Sequence, residues 1–170
     1  AATMLATAGF NVTLHEELNG LMKCASDINQ YRLHKGYHYP RSKQTAKECL
    51  NGLKTFKRKY ENSVVDGDIE HYYAIAERFS LTTPREYLKF LVDMNLEFGV
   101  VAPIKNTSLT LKVEEELFDS EKLRVQITQK MRSAGVNVVL KHKTTKKDIE
   151  DDKFDYVVIA TYSKLNSLLK

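Results

Sequence analysis

The sequence predicts an α/β protein: an open sheet of the parallel kind, carried by the two ends of the chain, with a strand-and-helix segment inserted between them. Three observations carry this. Residues 1–9, AATMLATAG, read as a helix closed by glycine, and the alternating run FNVTLH with Glu16 at its end follows directly. Residues 119–140 give another helix, ended by Gly135 and followed by the apolar run VNVVL. Residues 156–160, YVVIA, are continuously apolar, as in strands buried on both faces of a parallel sheet.

Composition narrows the class. The chain has 170 residues, room for one domain or one and a half, and no apolar run of the ~18 residues that a membrane span needs. Residues 1–10 have no basic n-region of a signal peptide. Two cysteines, Cys24 and Cys49, make neither a disulfide framework nor a metal site, and a cytoplasmic setting is expected. The net charge is +4, and the basic cluster 141–147 runs straight into the acidic run 148–152. That pattern reads as a solvated hairpin tip and argues against a nucleic-acid partner.

Taken in order, the helix over residues 1–8 shows Met4, Leu5 and Ala8 on one side, and Gly9 stops it. Residues 10–15 are strand. Helix, glycine, short strand and acidic residue form the second half of a Rossmann-like βαβ dinucleotide-binding unit, in which the acidic side chain accepts hydrogen bonds from ribose hydroxyls. The glycine-rich turn of that unit is expected to precede residue 1. Ser42 caps a helix of about twenty residues whose apolar positions Ala46, Cys49, Leu50, Leu53, Phe56 and Tyr60 recur at helical spacing. Residues 71–76, HYYAIA, are a strand, and Thr83-Pro84-Arg85-Glu86 is a capping box that starts a helix running to about Asn95. Residues 109–114, LTLKVE, alternate as a strand. Asp119 or Ser120 caps the next helix, with Leu123, Ile127 and Met131 on one face. The strand over 156–160 ends in Thr161-Tyr162-Ser163, at the kind of carboxyl edge where open α/β sheets bind ligands.

Residues 26–42, SDINQYRLHKGYHYPRS, have neither helical nor strand periodicity. A polar, aromatic-rich loop of this length costs ordering entropy and covers little core, so it reads as ligand-facing; the alternative is a surface loop whose tyrosines pack down.

Several of these stretches resemble one family. AATMLATAGFNVTLHEE, CASDINQYRLHKGYHYPRS, KLRVQITQKMRSAGVNVVL and FDYVVIATYS resemble, in order and spacing, segments of FAD-dependent oxidoreductases of the D-amino-acid oxidase and glycine oxidase superfamily. The resemblance implies a Rossmann-like FAD/NAD(P)-binding domain, incomplete here, made of residues 1–42 and 119–170, with 43–118 an inserted α+β part of the substrate-binding domain. It implies FAD as cofactor, with no metal, and a hydride taken from a small amine or hydroxy substrate. Glu16 would bind the adenosine ribose, Ser26 and Asn29 the pyrophosphate, and Arg32 would offset its charge. His34, Gly36, His38 and Tyr39 would lie towards the isoalloxazine, and Ala160 and Thr161 would touch the cofactor from the returning strand. Tyr162 departs from the glycine usual in that strand's motif. His38, Tyr39 and Arg41 are the catalytic candidates by position, an arginine to clamp a carboxylate and a histidine or tyrosine near the reacting carbon. The resemblance also implies that these residues are a fragment, inactive and poor at binding FAD alone, with the edge of the second strand exposed.

Two other readings stay open. The H-x-G-x-H-Y pattern of residues 34–39 is loosely similar to the flavin loop of UDP-galactopyranose mutase, where flavin acts on a nucleotide sugar without net redox change. A non-enzymatic anion-binding module is the other.

Overall fold

In a computed structural model the described residues are 1–65, 67–151 and 153–169. In chain order the elements are α1 (Ala2–Thr7), β1 (Thr13–Glu16), β2 (Arg32–Leu33), α2 (Lys43–Tyr60), β3 (His71–Ala76), α3 (Pro84–Asp93), β4 (Phe98–Val101), β5 (Thr107–Val113), β6 (Glu116–Leu117), α4 (Ser120–Ser133), β7 (Asn137–Leu140), α5 (Lys146–Ile149) and α6 (Leu165–Leu169). They fall into two compact units, Ala1–Ile28 with Ile127–Lys170, and Asn29–Gln126. The division falls inside the loop 26–42, so residues 29–42, grouped with the outer segments in the sequence reading, sit in the second unit. Asp152, at the end of the acidic run, lies outside the described residues.

In the first unit, glycine twice converts a helix into a strand. Gly9 (φ +96°) follows α1 and Gly135 (φ +75°) follows α4, both in the left-handed region that lets a helix close without a Cβ clash. The strands that follow pair parallel in register, Thr13 with Asn137 through Glu16 with Leu140. β1 therefore starts later than residues 10–15 suggested. The charged stretch after β7 holds one helical turn, α5, started by a Thr145–Asp148 capping box.

The expected strand over residues 156–160 does not form. Val158 is 67% exposed and the run carries no ladder hydrogen bonds. An apolar run becomes a strand only where a sheet edge receives its backbone, and among the described residues β1 and β7 pair only with each other. Side chains hold the segment instead: Phe154 meets the His15 ring edge-on at 6.2 Å, and Tyr156 meets Phe10 at 6.3 Å.

The second unit has the larger core. Its sheet runs β3-β5-β4, antiparallel throughout, with Tyr73 opposite Leu111 and Val100 opposite Leu111 from the other side. α3 starts as its sequence says, with Thr83 and Glu86 capping each other and Pro84 at the first position. It buries Tyr87, Phe90 and Leu91 against Leu109, Leu111 and Val113. Ser42 caps α2 by accepting from the Thr45 N–H, and Ala46 on the first turn is fully buried. A second, two-stranded sheet pairs β2 with β6, Arg32 opposite Leu117 and Leu33 opposite Glu116. No helix among the described residues is long and apolar enough to cross a membrane.

Candidate functional site

The residues singled out for a ligand divide between the two units: Glu16, Ser26, Ala160 and Thr161 in the first, and Asn29, Arg32, His34, Gly36, His38, Tyr39 and Arg41 in the second.

In the first unit Glu16 ends β1 at its carboxyl edge, and its Oε1 accepts the Leu18 N–H at 2.8 Å. Lys164 forms an ion pair with the neighbouring Glu17, which brings the turn that starts at Thr161 to this end of the strand. The same pairing holds the Glu17 carboxyl below its usual value. Thr161 Oγ1 is buried and has no hydrogen-bond partner. Ala160 is exposed, and Tyr162 is 90% exposed at φ +51°. Ser26 is exposed in the turn closed by Asp27 N–H to Cys24 C=O at 2.8 Å.

In the second unit the loop is built around two turns. The Tyr39 N–H donates to Gly36 C=O and the Ser42 N–H to Tyr39 C=O, both at 3.0 Å, which delivers the chain into α2. Gly36 sits at φ +100° against Ala46, so the space beside it is taken by the helix. Tyr37 is 1% exposed: its ring stacks on Tyr73, and its hydroxyl donates to Glu97 C=O at 2.6 Å. Burial, the largest influence, pushes that hydroxyl up to about 12, ahead of the Glu114 backbone, which opposes it. One of the loop's tyrosines thus packs down into the core, while the histidines stay out. His34, His38 and Tyr39 form a ring cluster with centroids 5.4–6.4 Å apart, and His38 lies 6.2 Å from Tyr73. His38 and Arg41 are exposed, and Tyr39 is half-buried. Asn29 Oδ1 accepts the Tyr31 N–H at 2.6 Å, a local turn contact.

Beneath the loop lies a charge that no motif announced. Glu115 is buried and takes the Lys35 N–H and the Tyr73 hydroxyl, each at 3.0 Å. Arg32 stands 3.6 Å from the same carboxylate, its guanidinium 4.9 Å over the Tyr73 ring. Burial alone would raise the Glu115 carboxyl; His34, the Lys35 amide and the Tyr73 hydroxyl together outweigh it and hold it below its usual value. Nearby on β3, His71 is 5% exposed and its Nε2 has no partner. Burial, then the Arg32 charge, push its pKa below the usual 6.5, against Glu115. The folded state thus favours neutral His71, and the unfolded chain takes up the proton first. His71 costs nothing above pH ~6.5, and stability falls with acidity below it, by at most ~1.4 kcal/mol per pH unit. Urea denaturation at pH 7.5 and 5.5 should show that His71→Asn removes part of this fall; an identical fall in both proteins would rule out the assignment.

Both cysteines are free thiols. Burial, then Glu115 and Glu48, push Cys49 up, the opposite of what an activated nucleophile needs. Among the described residues no cluster of histidine, cysteine and acidic side chains could hold a metal ion.

No protein-family model matches the chain. In sequence it is 30% identical, over 175 residues, to the FAD-dependent monooxygenase FPY4 of Fusarium mangiferae, covering 95% of this chain and 46% of that protein. The chain thus spans less than half the length of this curated relative. In fold it is similar to NikD, an unusual amino acid oxidase essential for nikkomycin biosynthesis, seen in an open form. The TM-score is 0.51 at 9% identity, over 82% of this chain and 39% of NikD. The likeness to NikD bears out the α/β fold class, the relation to FPY4 bears out the resemblance to FAD-dependent oxidoreductases, and neither favours a nucleotide-sugar mutase or an anion-binding module.

Proposed function

We propose that this chain, similar to FAD-dependent oxidoreductases of the D-amino-acid oxidase type, supplies part of the cofactor and substrate pocket of an enzyme that takes a hydride from a small amine or hydroxy compound. The observation that carries this is the sequence relation to an FAD-dependent monooxygenase along 95% of the chain. The residues also fit the cofactor chemically. Glu16 is an acceptor-only carboxylate at the carboxyl edge of a parallel strand, the position that suits ribose hydroxyls. Thr161 Oγ1 is a buried hydroxyl lacking a partner, of the kind a bound group completes.

In this reading Glu16 holds the ribose, Ser26 and Asn29 the pyrophosphate, and Ala160 and Thr161 line the cofactor. Arg32, already facing Glu115, adds a partly neutralised charge. Gly36 keeps the turn that presents His34 and His38. Flavin, when bound, supplies the two-electron acceptor. The protein's part is to bind and orient the substrate and to receive a proton: Arg41 for a carboxylate, His38 or Tyr39 for the proton. Residues 43–118 are the substrate-side portion.

The protein that contains this chain, purified and then denatured, should release one FAD per polypeptide. Glu16→Ala should weaken FAD binding about tenfold or more, the loss of one hydrogen bond to a charged acceptor, ~1.5–3 kcal/mol. A colourless protein, or an unchanged affinity in the variant, would contradict this reading.

A further inference from the structure

The antiparallel register of β2 and β6 pairs Arg32 with Leu117 and Leu33 with Glu116. One further step along both strands sets His34 opposite Glu115. The contacts follow that register. Glu115 Oε1 accepts the Lys35 N–H at 3.0 Å and faces His34 Nδ1 at 3.8 Å. Oε2 accepts the Tyr73 hydroxyl at 3.0 Å and faces the Arg32 guanidinium at 3.6 Å. The Glu115 side chain is fully buried.

The His34 imidazole is divided between two environments. Nδ1 is buried and has no hydrogen-bond partner, yet the side chain as a whole is 35% exposed. Its exposure therefore lies on the rest of the side chain. In a neutral imidazole, the nitrogen beside an acceptor carries the proton and the other nitrogen becomes the acceptor. Beside Nδ1 the acceptor is a buried carboxylate. The charged and titratable groups around this pair include Arg32, drawn to the other carboxylate oxygen, and Tyr73, His71, Tyr37, Tyr87 and Cys49, which lie in the field of Glu115; the rings of His38 and Tyr39 stand beside His34.

We propose that Glu115 is a positioning residue that holds His34 as its Nδ1–H tautomer, so that Nε2 is presented as an acceptor for an N–H or O–H group of the ligand bound at this loop. The identity of that ligand rests on the proposed function, since flavin, amines and hydroxy compounds all carry such donors. The tautomer itself does not.

Long-range 1H–15N spectra of the labelled chain at pH 8, where an ordinary histidine is neutral, read the tautomer directly. His34→Gln identifies the signal. The wild-type chain should show His34 mainly as Nδ1–H, and Glu115→Gln, which keeps the shape but weakens the acceptor, should shift it towards Nε2–H. A wild-type His34 in the Nε2–H form overturns the proposal even if the variants fail to fold, as does an unchanged tautomer in folded Glu115→Gln. The measurement needs no flavin. An Nδ1–H His34 in a protein that binds no FAD would sink the flavin reading alone, and an Nε2–H His34 in a protein that binds FAD would sink only the role of Glu115.

Discussion

Glu115→Ala is expected to cost about 3 kcal/mol of stability and to lower the melting temperature by about 10 °C. The carboxylate takes a backbone N–H and a tyrosine hydroxyl and faces Arg32, whose own side chain is only 20% exposed. Removing it strands these donors beneath the loop without an acceptor, the case in which breaking a buried pair is most damaging. Urea and thermal denaturation measure the cost; a loss below about 1 kcal/mol would show that water or a local shift replaces the carboxylate. The pH dependence has a definite sign. Because the folded carboxyl is held below its usual 4.5, the contribution of Glu115 is present above that value and disappears as pH falls through the lower, folded one. The stability gap between wild type and Glu115→Gln should therefore narrow as the pH falls below 4.5.

That residue marks where sequence legibility ends. Glu114, Glu115 and Glu116 stand in a row, and an acidic row reads as a solvated face. What separates the middle one is the β2–β6 register, and two-residue strands carry no periodicity of their own. Local chemistry was legible wherever it is sufficient in itself: Thr83-Pro84-Arg85-Glu86 starts α3, Ser42 caps α2, and Gly9 and Gly135 end their helices. It failed where a neighbour decides. Residues 156–160 have every local property of a buried strand, yet no edge among the described residues receives them. β4, short and interrupted by Gly99, is held by its pairing with β5.

The loop 26–42 holds tyrosines of two kinds within a few residues. Its polar, aromatic composition reads as ligand-facing or as a surface loop whose tyrosines pack down, and Tyr39 lies in a ring cluster with His34 and His38. Tyr37, of the same residue type as Tyr39, is instead a core residue whose hydroxyl finds a backbone carbonyl and whose own carbonyl accepts from Tyr87 at 3.0 Å. Composition cannot tell these two tyrosines apart. The turn at Gly36 does, because it sets which side chain points down onto α2 and the sheet.

Gly36→Ala is therefore expected to be at least as damaging as loss of Glu115, by a different route. At φ +100° a side chain is strained, a cost of about 1–2 kcal/mol. The new Cβ would also stand 2.9 Å from Ala46 Cβ and 3.0 Å from Ala46 Cα and carbonyl oxygen, at a helix residue that is itself fully buried, and overpacking of this kind costs ~1–3 kcal/mol. Together these give a loss of about 2–5 kcal/mol, centred on ~3.5, and relief requires moving Tyr37, which the core holds in place. Ala46→Gly in the same chain should recover only part of the loss, since it removes the Cβ contact and leaves the backbone contacts and the strain. Gly52→Ala is the control. It lies within α2 with nothing within 4 Å of its added Cβ, so it should stabilise by about 0.5–1 kcal/mol through helix propensity. The same substitution is thus expected to change sign between Gly36 and Gly52. A Gly36→Ala chain within 0.5 kcal/mol of wild type in urea would mean that the turn is not packed against α2, and the placement of His34 and His38 by that turn would fall with it.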